Sequence, residues 1–248
     1  MSVNVGLVNA GTLYAQGLQI AYASATTLTV AAGACRNSSN LNDITLASSV
    51  TINAAVNNIN GLDIGSLAAS KLYAIYAVGD STSVNTAGAV ISLSTSGPLM
   101  PVGYDMYRLI GYVRTNGSSQ FLLGYWSGSS NERLFTYDTP IATAVTAGAA
   151  TSYTAVSLDT FVPAVVGVPV WMGYDMTPAA ASRILSLHPA GATGAAVSIT
   201  SQVTAVHVTG NSLVQAELVL GVPNIEYKWS AGGGDAVALT VHGYQYSI

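Results

Sequence analysis

Short segments in which apolar and polar residues alternate recur along the whole chain. Residues 26–31 (TTLTVA) alternate with a period of two, and strand character returns over 43–55 (DITLASSVTINAA). Residues 195–210 (AAVSITSQVTAVHVTG) alternate almost throughout. A period of two is typical of β-strands with one buried face. Since no long segment has helical periodicity, the pattern predicts a mainly antiparallel, all-β protein.

Two further segments have a more specific strand pattern. Residues 71–79 (KLYAIYAVG) form a continuous apolar run between turn residues, which predicts a strand buried on both faces. Residues 107–115 and 120–128 flank Asn116-Gly117, a strong short turn signal. We therefore expect a hairpin around this dipeptide.

The closing segment, residues 236–248, changes its alternation at Gly243. The apolar positions before and after this glycine differ in parity: Val237, Leu239 and Val241, then Tyr244, Tyr246 and Ile248. A parity change at a glycine within a strand indicates a β-bulge.

Three stretches interrupt the strand pattern. Residues 33–43, which contain the only cysteine, Cys35, and the first charged residue, Arg36, are predicted to be a loop. Residues 130–139 (SNERLFTYDT) carry several charges close together and end before Pro140, which predicts a linker or domain boundary. The Ala-rich residues 177–187 are compatible with one or two helical turns.

These interruptions predict three parts. An N-terminal attachment arm covers 1–22, and two antiparallel β-sandwich or jelly-roll-like domains cover 23–133 and 134–248. One large β domain is the alternative at this length. The arm is uncharged, and its large apolar side chains are expected to contact a partner: Val3, Val5, Leu7, Val8, Leu13, Leu18 and Ile20. Alternatively, the same segment is the first strand of the first domain.

Charge is unusually scarce. The chain has 7 basic and 11 acidic residues in 248, or 7% charged, where an average soluble domain has roughly 25%. Ser, Thr, Asn and Gly occupy the polar positions instead. Such a neutral surface suits burial against other subunits, and a low-charge extracellular β protein is the plainer interpretation.

The remaining composition excludes several classes. A net charge of −4 with scattered cations disfavours nucleic-acid binding, and a single cysteine cannot form an internal disulfide. The start lacks the basic and apolar regions of a secretory signal, and no apolar 20-residue run predicts membrane insertion. We therefore expect a protein made and assembled inside a cell.

Catalytic groups are few. His188, His207 and His242 lack metal-ligand spacing, so no metal and no cofactor is predicted. Most of the eleven acidic residues lie in turn-like contexts, among them Asp63, Asp80, Asp105 and Asp235. Turn formation explains such aspartates better than a glycosidase pair does. No catalytic residue is predicted, and we expect a non-enzyme.

Aromatic residues are the remaining candidates for binding. Fourteen tyrosines accompany three phenylalanines, a bias that suits subunit interfaces and sugar-binding surfaces alike. Trp126, Trp171 and Trp229 are candidate glycan-facing residues. Packing in the core or at an interface is the alternative for all three.

Several stretches resemble β-rich modules of tailed-bacteriophage virion proteins, namely tail-fibre, head-fibre and capsid-decorating proteins. They are TTLTVAAGACRNSSNLNDITL (26–46), NGLDIGSLAASKLYAIYAVGDS (60–81), LSTSGPLMPVGYDMYRLIGYVRTNGSSQFL (93–122) and the terminal VHGYQYSI (241–248). The first three occur in the order found in such modules. The second half is similar to phage modules with a β-sandwich, less specifically.

The resemblance implies a non-enzymatic structural protein on the surface of a phage particle, either a capsid-decorating protein or a short head fibre. It implies a homotrimer made in the bacterial cytoplasm, whose partner is the major capsid protein or another virion protein. A tail-fibre protein that recognises host-surface glycans is the alternative. A polysaccharide-degrading enzyme is a third and more remote class.

Overall fold

The chain folds into antiparallel β-sheets, so the predicted all-β class is confirmed. The computed structural model describes residues 14–83, 85–128, 131–193, 197–202 and 204–248. No helix in this part of the chain is long and apolar enough to cross a bilayer.

The described residues form eighteen strands. They are β1 (Ala15–Gly17), β2 (Ile20–Ser24), β3 (Thr27–Val30), β4 (Gly33–Arg36), β5 (Asp43–Leu46), β6 (Val50–Asn53), β7 (Leu72–Gly79), β8 (Gly88–Ser92), β9 (Met106–Arg114), β10 (Gly124–Ser127), β11 (Glu132–Ala142), β12 (Thr154–Ser157), β13 (Val168–Thr177), β14 (Ile184–Pro189), β15 (Val197–Thr200), β16 (Val208–Val219), β17 (Val222–Trp229) and β18 (Ala236–Ser247). All pairings between them are antiparallel.

The first nine strands form three small sheets. Their orders are β1-β4-β5, β2-β3-β6 and β8-β7-β9. The apolar run predicted to be buried on both faces is β7, and every residue after Leu72 in it is buried. This confirms that interpretation.

The last nine strands form one curled sheet with the order β10-β11-β18-β13-β16-β17-β14-β15, and β12 also pairs with β17. Strand β16 belongs to both parts of it. Val208–Ala216 pair with β13, whereas Glu217–Val219 pair with β17. We call β10, β11, β18, β13 and the start of β16 the first wing, and β12, β17, β14 and β15 the second wing. Jelly-roll topology stays a prediction.

The predicted bulge in β18 is confirmed. Trp171 of β13 pairs with Gly243, and the next residue, Met172, pairs with Val241, so that His242 is an extra residue. The apolar residues on both sides of this bulge are buried: Val237, Leu239, Val241, Tyr244, Tyr246 and Ile248. The bulge therefore keeps two segments of opposite parity on the same core face.

Two loop or helix predictions are wrong. The first four residues of the stretch predicted as a loop, Gly33–Arg36, form β4, and Cys35 in it is fully buried. A Cβ at Gly33 would lie 2.3 Å from the Gln16 carbonyl oxygen, so this close strand pair needs small residues. No helix forms over 177–187, because its ends belong to β13 and β14; in the turn between them, Asp235 accepts a hydrogen bond from the Ala179 amide.

The predicted linker at 130–139 is also wrong. Its described residues belong mainly to β11, which pairs with both β10 and β18. Glu132 faces outward and bonds Ser247 of β18. Arg133 faces inward, where it is 2% exposed and donates from Nη2 to the Gly17 carbonyl at 2.7 Å. The charges therefore belong to a strand, and the division into two domains stays a prediction.

The hairpin at Asn116-Gly117 forms only in part. The Asn116 side chain accepts hydrogen bonds from the amides of Ser118 and Gln120, which confirms the turn. After Leu122 the chain leaves β9, and β10 pairs with β11 instead. The second arm of the predicted hairpin is thus the edge strand of the curled sheet.

Both halves of the chain share one hydrophobic core cluster. The rings of Tyr112 in β9 and Tyr246 in β18 meet edge to face, with centroids 5.3 Å apart. The indole of Trp126 in β10 donates to the Tyr112 carbonyl. These contacts join the small sheets to the first wing.

Candidate binding surface

The predicted attachment residues are not all exposed. Leu18 is 0% and Ile20 is 4% exposed, because both pack into the core of the small sheets. The expectation that these two contact a partner is therefore wrong. The others lie outside the described residues: Val3, Val5, Leu7, Val8 and Leu13. Attachment through the segment before Tyr14 stays a prediction.

Two of the three candidate tryptophans are structural. Trp126 and Trp229 are buried. Their indole Nε1 groups donate to the carbonyls of Tyr112 and Gly148, each at 3.0 Å. Neither can face a glycan. The alternation of the sequence could have predicted the burial of Trp229, because Trp229 lies on the same face of β17 as the buried residues Ile225 and Tyr227.

Trp171 alone of the three lies on an outer surface. Its neighbours Val170 and Met172 point into the core and are fully buried, while Trp171 on the opposite face of β13 is partly exposed. It belongs to a row that crosses four adjacent strands, with the order Thr136, Gly243, Trp171 and Leu213. Residues directly opposite each other point to the same face of a sheet.

A groove opens beside the Trp171 indole. It has a volume of about 310 Å³, and its lining residues are Leu134, Thr136, Trp171, Asn211, His242 and Gly243. Because Gly243 has no side chain, the space between Trp171 and Thr136 is unfilled over two strand spacings, or about 10 Å. We call this feature the Trp171 groove.

The bulge in β18 determines the shape of the Trp171 groove. A Cβ at Gly243 would lie 2.3 Å from the Phe135 carbonyl oxygen, so the close approach of β11 and β18 requires glycine here. The His242 ring lies over the backbone of Gly173, where a Cβ would be 2.2 Å from Nε2. Gly173 thus leaves room for the ring of the bulge residue His242, and Gly243 leaves a depression next to it.

The polar groups of the Trp171 groove are free to bind. Within the described part of the chain, the side chains of Thr136, Asn211 and His242 make no hydrogen bond. Partial burial lowers the pKa of His242 below its usual 6.5, so the imidazole is neutral at neutral pH. A neutral imidazole offers one donor and one acceptor.

The charges around the Trp171 groove are negative. Arg133 is the only Lys or Arg in the five strands of the first wing, and it points into the core. Glu132, Asp138 and Asp175 lie on the outer face and already bind neighbours: Ser247, Tyr125 and His207 respectively. The groove is therefore uncharged, with carboxylates farther along the same strands.

On the second wing, a histidine is covered by the chain itself. His188 of β14 is 1% exposed, and the Tyr153 ring packs against it, with centroids 3.6 Å apart and ring planes tilted by 44°. Its Nδ1 donates to the Pro189 carbonyl at 2.6 Å and lies 3.5 Å from a Glu226 carboxylate oxygen. The Lys228 ammonium lies 4.3 Å from the centre of the Tyr153 ring. We call this arrangement the covered face.

The turn-forming aspartates have the expected role. Asp63 accepts hydrogen bonds from the amides of Ile64 and Leu99, and Asp105 accepts one from the Ser81 amide. Hydrogen bonds from the Thr82 hydroxyl and nearby amides lower the pKa of Asp80 to about 2. These carboxylates therefore organise loops.

Among the described residues, no group of three or more His, Cys, Asp or Glu side chains is arranged to hold a metal ion. Sequence reasoning missed the exposed His207–Asp175 pair, in which Nδ1 and Oδ1 are 2.7 Å apart, because His207 precedes β16 rather than lying in it.

Comparison of the chain with protein-family models, with curated proteins and with solved structures found no match.

Proposed function

We propose that the protein is a non-enzymatic structural protein of a bacteriophage particle, a trimeric capsid-decorating or short head-fibre protein on the particle surface. The resemblance of residues 26–46, 60–81 and 93–122 to virion modules supports this proposal. So does a surface with few charges, since interface cores are depleted in charged residues and enriched in Tyr.

One observation carries the proposal furthest: apolar side chains remain exposed at one end of the curled sheet. Val165 and Val166 precede β13 and are 46% and 71% exposed. Leu220, in the turn between β16 and β17, is fully exposed with a φ of 53°. Both segments lie beyond the Val168–Ala216 pair, and we call them the apolar end. Exposed aliphatic groups on a low-charge surface are typical of protein contacts.

In this proposal the apolar end contacts other copies or the major capsid protein, and the segment before Tyr14 attaches the protein to the particle. Closed symmetry is the rule among soluble homo-oligomers, and three copies follow from the resemblance to fibre and decoration proteins. Assembly takes place in the bacterial cytoplasm. Nucleic acid and membrane have no part in it.

Localisation tests the proposal directly. Labelled antibodies against the protein should bind the surface of intact phage particles in electron micrographs, and light scattering of the purified protein should give the mass of a trimer. Val166→Asp and Leu220→Asp should weaken association, while Val102→Asp, a control at a 96% exposed position in a loop before β9, should not. Absence from particles would contradict the proposal, and a stable monomer would contradict the trimer.

A glycan-recognising tail-fibre protein is the second candidate. The Trp171 groove favours it, because a partly exposed indole beside unpaired polar side chains suits a sugar ring. Binding of purified protein to host cells, inhibited by Trp171→Ala, would support this candidate. Normal adsorption of the variant would contradict it.

A further inference from the structure

We infer that the Trp171 groove binds an uncharged oligosaccharide that lies across the first wing. This inference rests on the second candidate function and adds the chemical class of the ligand and its mode of binding. It is independent of whether the protein decorates a capsid.

The apolar part of the groove provides a stacking surface. The Trp171 indole is flanked by Leu213 on the neighbouring strand, which is 51% exposed, and by Gly243 on the other side. The missing side chain at Gly243 leaves one flank of the indole accessible. A sugar ring has an apolar face of C–H groups, and a large aromatic side chain with free space beside it matches that face.

The polar part of the groove surrounds this stacking surface. Thr136 lies at one end of the row on β11, Asn211 lies on β16, and His242 lies between them on β18. Together these side chains offer both donors and acceptors, as hydroxyl groups on a sugar require. The row from β11 to β16 covers three strand spacings, or about 14 Å. A ligand longer than one ring can therefore contact it throughout.

Charge complementarity selects the ligand class. An acidic saccharide needs a cation or several N–H donors for its carboxylate, sulfate or phosphate. The outer face of the first wing has no Lys or Arg, and Glu132, Asp138 and Asp175 would repel an anion. Along their strands, Glu132 is two residues from Leu134 and Asp138 two residues from Thr136, roughly 7 Å each. An uncharged ligand avoids this repulsion and needs no counter-ion.

A binding experiment on the full chain tests the inference. Trp171 is the accessible one of the three tryptophans, so its fluorescence should respond to a bound saccharide while Trp126 and Trp229 stay shielded. Purified protein is titrated with neutral oligosaccharides of glucose, galactose, mannose and N-acetylglucosamine, and with polygalacturonate and heparin as acidic probes. At least one neutral series should give saturable binding that strengthens with chain length.

Variants locate the site. Trp171→Ala should weaken binding on the order of 30-fold, as for a central aromatic contact, and Asn211→Ala by about 3- to 10-fold for one hydrogen bond. Because the Trp171 signal is lost in the first variant, calorimetry measures its affinity. Tyr153→Ala is the control, since Tyr153 is an exposed aromatic residue on the second wing, away from the groove. It should leave binding unchanged.

The possible contradictions are distinct. Binding of the acidic probes alone would overturn the ligand class but keep glycan recognition. Binding of no saccharide would overturn both this inference and the second candidate function. Unchanged affinity of Trp171→Ala would place the ligand elsewhere, and a lower oligomeric mass of that variant would make the groove a contact between copies. Location in the particle, tested separately, decides the first proposal.

Discussion

The two wings of the curled sheet each place a histidine and an aromatic ring on the outside, with opposite results. On the covered face, the Tyr153 ring packs against His188 and the imidazole donates a hydrogen bond to a backbone carbonyl. In the Trp171 groove, the indole is partly exposed and His242 makes no hydrogen bond within the described residues. The chain itself bonds Nδ1 of His188 and covers its ring, whereas it leaves His242 available.

Whether a polar side chain is already bonded within the chain distinguishes a structural residue from a binding residue better than its residue type does. His188 and Tyr153 would look as promising as His242 and Trp171 in the sequence. A group whose partners come from its own chain gains nothing from a ligand, because binding would first have to break those contacts. The polar side chains of the Trp171 groove have no such contacts to lose.

The largest effect should separate buried from open tryptophan. Trp229→Ala removes a 1% exposed side chain and its bond to Gly148, so the free energy of unfolding should fall by about 3–5 kcal/mol. Trp171→Ala removes a partly buried side chain and should lower it by about 1 kcal/mol. Urea denaturation measures both. Similar losses would show that Trp171 is a core residue and would remove the comparison.

A second substitution acts on the bulge that opens the groove. Gly243→Ala places a Cβ against the Phe135 carbonyl oxygen, so β11 and β18 must move apart, and we expect a loss of about 1–3 kcal/mol. Gly117→Ala is the control, since no atom lies within 4 Å of the added Cβ. Denaturation of both variants gives the difference. Equal stability would mean that the bulge tolerates a side chain.

Removal of the Tyr153 ring should expose His188 on the covered face. Tyr153→Ala should lower stability by about 0.5–1.5 kcal/mol, the size of one aromatic contact, and should expose His188 to diethyl pyrocarbonate. Tyr125→Ala, which removes a 56% exposed ring, should cost little. If His188 stays unmodified after the Tyr153 ring is removed, another part of the chain covers it.

The smallest effect concerns pH. Burial lowers the pKa of His242 below 6.5, so the unfolded chain takes up this proton first as the pH falls. The stability is fully present above pH 6.5 and declines as the pH falls from there through the folded-state pKa. His242→Gln should show a smaller decline in melting temperature between pH 7.5 and 5. An NMR titration midpoint at or above 6.5 would contradict the expected direction.

Alternation along single strands predicted much of the fold. The parity change at Gly243 was sufficient to predict the bulge, because each side of it has three apolar residues in register. The continuous apolar run of β7 likewise indicated burial on both faces. Both are local properties, determined by residues within one strand.

What the sequence did not predict depends on partners distant in the chain. The segment at 130–139 resembled a linker because buried arginine is rare, yet Arg133 bonds a carbonyl 116 residues away. The exposure of Trp171 likewise depends on Gly243 and Leu213, which neighbour it only in the sheet. Leu18 is buried by strands that its own pattern does not specify.

The bond between Arg133 and Gly17 has a consequence for how the molecule opens. It joins the end of β1 to β11, the second strand of the curled sheet, and the Tyr112–Tyr246 contact joins another of the small sheets, through β9, to β18. Separating them would leave a guanidinium without this acceptor in an apolar interior, which is costly. The amides of β3 and of β18 should therefore exchange with deuterium at similar rates, through one cooperative opening shared by both halves.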